Sequence, residues 1–143
     1  MFDAVLFDLD GTLADTAPDL GESVNILLLE EGRPQQALTM LRPYTSQGVR
    51  GLLKAGFGID SSHPSYERLS QRFLEIYAGR LCEDTRLFDG VPELLDALEA
   101  RNLGWGIVTN KRMRFTEPLA PLLELTPRTK CAVSGATTAE AKP

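Results

Sequence analysis

Two carboxylates one residue apart, Asp8 and Asp10, close the apolar run Ala4-Val5-Leu6-Phe7 and are followed by Gly11, Thr12 and Leu13. The run reads as a buried parallel strand, apolar on both faces. Alternation along an extended chain aims Asp8 and Asp10 to the same side, at the strand's carboxyl end. Neighbouring carboxylates repel, and an isolated pair would resist ionising fully. A hard divalent cation removes that conflict, because it prefers oxygen ligands and brings its own charge. Gly11 supplies a tight turn where backbone can approach a ligand closely. For a lone Asp-x-Asp pair the plain alternative is a solvated acidic turn at a strand end.

The whole stretch Phe7-Asp8-Leu9-Asp10-Gly11-Thr12-Leu13 resembles motif I of the haloacid dehalogenase (HAD) superfamily in its phosphatase form. The resemblance implies that Asp8 is the nucleophile that takes a phosphoryl group and that Asp10 is the general acid/base. It also implies Mg²⁺, held by the Asp8 carboxylate and the Asp10 backbone carbonyl. The chemistry is consistent with that split. A carboxylate that attacks phosphorus divides one displacement into two. The leaving alkoxide needs a proton, and a later water must lose one, so a second titratable group is required nearby.

These groups need a sheet to hold them. Leu20, Val24, Leu27 and Leu28 recur at helical spacing after Thr16, a candidate N-cap, and Pro18, and Gly32 ends that element. Gln36 to Leu41 predicts a short helix stopped by Pro43, and Ser46 is placed to cap a helix running to about Ala55. Leu69, Phe73, Ile76, Tyr77 and Leu81 mark a further amphipathic helix, whereas His63, before Pro64 in polar company, reads as a surface residue. The core resumes at Gly90-Val91-Pro92-Glu93, with Leu94, Leu95 and Leu98 as a buried stripe, and continues in the strand Trp105 to Lys111. A helix over Arg114 to Leu125 follows, with Phe115, Leu119, Leu122 and Leu123 inward and Pro118 and Pro121 expected to break it in two. Cys131 to Ser134 is a third short strand.

The pattern predicts an α/β fold, and the resemblance implies a HAD-like Rossmannoid parallel sheet, incomplete, with strands in the order 3-2-1 and an inserted helical cap of the C1 type. The expected division is 1–14 with 84–143 for the core and 15–83 for the cap. Within the resemblance, Val108-Thr109-Asn110 is similar to motif II, which makes Thr109 a ligand of the phosphoryl oxygens with Asn110 assisting. A hydroxyl at a strand's carboxyl end beside a helix N-terminus suits an anion. Lys142-Pro143 resembles motif III, whose lysine neutralises the aspartyl-phosphate. The segment Ser46-Gln47-Gly48-Val49-Arg50 is similar to a cap segment of phosphoglycolate-phosphatase-like members. It offers Ser46, Gly48 and Arg50 to a substrate's second polar end, since a guanidinium forks onto planar anions. No counterpart of the motif IV acidic pair occurs, so the resemblance implies an enzyme longer than this chain. Alone, the chain is expected to bind Mg²⁺ poorly, to be nearly inactive, and to pair or aggregate through an exposed first strand.

Composition bounds the partners. A net charge of −5 over 143 residues, with 43% hydrophobic residues, describes an ordinary globular chain. Its acidity disfavours nucleic acid and anionic membrane as partners. No apolar run is long enough to span a bilayer and no signal-peptide pattern is present, so cytoplasm is the expected compartment. Cys82 and Cys131 are expected to be reduced and buried. The leading expectation is a Mg²⁺-dependent phosphomonoester hydrolase acting on a small phosphorylated metabolite such as phosphoglycolate. The region Arg114 to Pro118 also resembles N-acetylmuramic acid 6-phosphate phosphatases, which makes that or another sugar phosphate the alternative. A phosphomutase of the same fold and a non-catalytic binding module are the remaining readings. Nothing here decides the oligomeric state.

Overall fold

The computed structural model describes residues 3–135. The chain divides into two units, Met1–Asp15 with Arg86–Pro143, and Thr16–Thr85.

In the first unit β1 (Ala4–Phe7), β4 (Gly104–Arg112) and β5 (Ala132–Gly135) form a parallel three-stranded sheet in the order β1-β4-β5. Counted along the chain, that is the expected 3-2-1 arrangement. Ala4 to Phe7 sit opposite Gly104 to Ile107, so the loop after Phe7 and the last part of β4, from Val108 on, lie at the same end of the sheet. Two short strands, β2 (Ala14–Asp15) and β3 (Arg86–Leu87), pair antiparallel where the chain leaves and re-enters this unit. Helices α5 (Val91–Ala100) and α6 (Met113–Leu122) contribute Leu95, Phe115 and Leu119 to a core shared with Trp105 and Ile107. Trp105, Gly106 and Ile107 are buried in succession, as a central strand covered on both faces requires. The Trp105 indole N–H donates to Glu99 Oε1 at 3.0 Å, which satisfies its one polar atom.

β1, whose apolar run by itself reads as buried, is the exposed edge expected of this chain: among the described residues it borders the sheet, and Leu6 is 62% exposed. Other expectations need correcting. Leu94 and Leu122 face solvent as well, while Val91 takes the buried place on α5. Pro118 and Pro121 do not divide α6. Both lie on its exposed side, where the carbonyls they leave without an amide partner can bond to water. Neither cysteine is in a disulfide, but Cys131 is exposed and Cys82 only half-buried, so neither is the buried cysteine expected.

The second unit is helical: α1 (Ala17–Glu30), α2 (Leu38–Leu41), a 3₁₀ turn over Arg42–Gln47, α3 (Gly48–Phe57) and α4 (Tyr66–Ala78). Leu20, Val24, Leu27 and Leu28 of α1 are buried, as are Leu52 and Leu53 of α3 and Leu69, Phe73 and Tyr77 of α4. Phe73 and Tyr77 stack at 6.2 Å between ring centroids. Thr16 does occupy the N-cap of α1, though its side chain makes no cap bond, and Pro18 lies in the first turn. At the other end Gly32 takes φ +70°, and the Arg33 amide returns to the Leu28 carbonyl at 2.8 Å. The short helix ends at Leu41, two residues before Pro43 as expected, and Pro43 falls in the first turn of the 3₁₀ segment that follows. Ser46 lies inside that turn, and Gln47, not Ser46, caps α3. His63 is a surface residue, its Nδ1 accepting the Ser65 amide.

Candidate active site

The loop after β1 is organised by one carbonyl. Leu9 is fully buried, which anchors the loop, and its oxygen accepts the amides of Thr12, Leu13 and Ala14 at 3.0–3.2 Å. Gly11 makes this possible with φ +76°, a conformation that side chains resist, and its own amide donates to the Ala14 carbonyl. On either side of Leu9 stand Asp8 and Asp10, both half-buried. Asp8 Oδ1 accepts the Leu9 amide at 2.8 Å, which orients that carboxylate at the strand end.

β4 delivers the second set of groups. Thr109 is buried, and its Oγ1 accepts the Lys111 amide at 3.2 Å. With a lone pair engaged in that way, the hydroxyl hydrogen is available to donate. Asn110 is exposed. Lys111 reaches across to β1's loop, its Nζ donating to Asp10 Oδ1 at 3.0 Å. That contact is the residue pair the sequence reading missed. Lys111 followed the Thr-Asn pair and looked like the polar end of a strand, and only the β1–β4 register brings it to Asp10.

The register between β4 and β5 shifts between Val108 and Arg112, across the Thr109–Lys111 segment itself. Such irregularities re-aim side chains. Gly135 lets the segment sit where it does, because a Cβ there would stand 2.5 Å from the Asn110 carbonyl oxygen.

The remaining sequence-derived candidates are elsewhere. Lys142 lies outside the described residues. Ser46, Gly48 and Arg50 belong to the helical unit, at the junction of the 3₁₀ turn and α3, with Ser46 and Arg50 exposed and Gly48 at φ +63°.

For a divalent cation, the Asp8 carboxylate and the Asp10 carbonyl supply hard oxygen donors on one loop. Mg²⁺ binds through few protein ligands and keeps several waters, so the donor type fits. Among the described residues no group of three or more His, Cys, Asp or Glu side chains gathers around a possible metal position.

A parallel sheet with paired aspartates past one strand, a buried threonine on its neighbour, and an inserted helical unit defines an α/β core of the Rossmannoid kind. The sequence matches the family model for haloacid dehalogenase-like hydrolases over residues 5–143. The chain belongs to that family. It is similar to a phosphoglycolate phosphatase of Xanthomonas campestris, with 43% identity over 98% of this chain and 63% of the relative. It is also similar to an N-acetylmuramic acid 6-phosphate phosphatase of Pseudomonas aeruginosa, at 41% identity over 91% of this chain and 58% of the relative. Among solved structures, one described as a predicted phosphoglycolate phosphatase from Haemophilus somnus matches 99% of this chain and 66% of its own, with a TM-score of 0.85 and 26% identity. The chain therefore spans about three fifths of the length of the two named relatives.

Proposed function

We propose that this chain carries the nucleophile-bearing part of a Mg²⁺-dependent phosphomonoester hydrolase working through an aspartyl-phosphate, with a phosphoglycolate-like small metabolite as substrate. The observation that carries the reading is the 3.0 Å bond from Lys111 to Asp10. It supports one site in which the groups after β1 and those in the last part of β4 act on the same ligand.

In this mechanism the Asp8 carboxylate attacks phosphorus, the P–O bond to the alcohol breaks, and Asp10 gives the departing alkoxide its proton. Asp10 then takes a proton from a water that attacks the acyl phosphate, which releases inorganic phosphate and restores Asp8. The Thr109 hydroxyl donates to a phosphoryl oxygen, aided by Asn110, at the point where charge accumulates. Lys142 neutralises the phosphorylated aspartate. The Asp8 carboxylate and the Asp10 carbonyl would hold Mg²⁺, which when bound would supply charge neutralisation at the phosphoryl group. Residues 15–83 serve as the cap, with Ser46, Gly48 and Arg50 meeting the substrate's far polar end. A cytoplasmic setting accords with a soluble phosphorylated metabolite as substrate.

The similarity to N-acetylmuramic acid 6-phosphate phosphatases, close to that for phosphoglycolate phosphatases, favours a sugar phosphate as second reading. Phosphate release from a panel of both substrate types, with Mg²⁺ and with Asp8→Asn as control, tests both. Release that survives Asp8→Asn rules out the aspartyl-phosphate route. Binding of these esters without any release would favour the non-catalytic reading.

A further inference from the structure

We propose that Lys111 is the positioning residue of this site, holding the Asp10 carboxylate in the orientation that proton transfer needs. The inference rests on the reading of Asp10 as general acid/base. Lys111's side chain is 6% exposed and that of Asp10 16%, so the ammonium has been taken almost wholly out of water. A buried ammonium is costly unless it is paired and hydrogen-bonded, and the flexible lysine stem loses rotamer freedom when it is held. Structure alone would be served more cheaply by an apolar side chain at this point of β4. The residue is engaged at both ends. Its amide donates to Thr109 Oγ1 at 3.2 Å, and its Nζ donates to Asp10 Oδ1 at 3.0 Å. One residue thus connects the hydroxyl assigned to the phosphoryl oxygens with the carboxylate assigned to the proton. The register shift between Val108 and Arg112 and the bare Cα of Gly135 aim it there.

Lys111→Met keeps the stem and removes the ammonium, while Lys111→Arg restores a cation. The first measurement needs no turnover: the χ1 rotamer of Asp10 from three-bond couplings in isotope-labelled chain. The wild type and Lys111→Arg should hold one rotamer, and Lys111→Met should average over several. A single unchanged Asp10 rotamer in a folded Lys111→Met protein overturns the proposal. The second measurement is kinetic, on an alkyl phosphomonoester. Lys111→Met should lower kcat by roughly 10- to 100-fold with KM nearly unchanged, as a misaligned group does. The loss should disappear in an Asp10→Asn background, where there is no carboxylate left to orient. A loss of the same size in both backgrounds also overturns the proposal. The Asp10 rotamer decides the positioning role whether or not the wild-type chain turns over, since the chain alone is expected to be nearly inactive.

Discussion

The Thr85 hydroxyl donates to Oδ2 of Asp19 at 2.7 Å, although 66 residues separate the two in the chain. Both side chains are fully buried. The same carboxylate accepts the amides of Asp84 and Thr85 and faces the Arg80 guanidinium at 3.4 Å. One acidic side chain in the first turn of α1 thereby fastens both ends of the helical unit.

Asp19→Ala should therefore be among the most damaging single changes in this unit. It removes the acceptor shared by the buried Thr85 hydroxyl and the amides of Asp84 and Thr85, while Arg80 keeps Glu83 and Asp84. The expected loss is about 3–5 kcal/mol, the range for breaking a buried charged network by removing one partner. Urea unfolding followed by circular dichroism measures it, and an unchanged midpoint would contradict the role given to Asp19.

Gly135→Ala should disturb the site from behind. The added methyl meets the Asn110 backbone oxygen at 2.5 Å and the Lys111 oxygen at 3.3 Å, and backbone on a central strand cannot yield as a flexible side chain can. Overpacking of this kind costs about 1–3 kcal/mol. Amide chemical shifts should move most over Thr109 to Lys111, with the helical unit unaffected.

Thr109→Val removes the hydroxyl while keeping the shape. If Thr109 donates to the phosphoryl group, kcat should fall by about 10²–10³-fold, the loss typical of one such donor. Stability should drop by about 1–3 kcal/mol because the Lys111 amide loses its acceptor. Thr109→Ser should recover most of both. Steady-state kinetics and thermal unfolding together separate the two effects.

Salt and acid should act on the α1–α4 seam. Hydrogen bonding to Arg72 holds the Glu30 carboxyl below its ordinary value of 4.5, and Arg68 does the same for Glu31. A depressed folded-state value means that the stabilisation is present above the ordinary value and lost as pH falls through the lowered one. These pairs are solvent-exposed, so their contribution is small and screened by salt. The double variant Arg68→Ala, Arg72→Ala should melt below the wild type at neutral pH and low salt. The gap should narrow in high salt, and close as pH falls below the ordinary carboxylate value. Melting curves across pH and NaCl concentration check this.

Local order along the chain was enough for the strand-loop stretch around Asp8 and Asp10, the Gly11 turn, the helices of the inserted unit and the succession of parallel strands. Each rests on periodicity, turn chemistry or adjacent residues, which a linear reading contains. What it misjudged were matters of exposure and alignment. Leu94 and Leu122 are apolar at periodic positions yet face water, because burial depends on what packs against an element, not on its own pattern. Pro118 and Pro121 leave α6 whole because they fall on its wet side. Ser46 looked like a cap and sits within a 3₁₀ turn. The Asp10–Lys111 pair and the Asp19–Thr85 fastening were invisible for a common reason. Each joins groups distant in sequence, through strand register in the first case and chain return in the second. A charge-assisted bond is decided by ångströms, and only the folded backbone sets those.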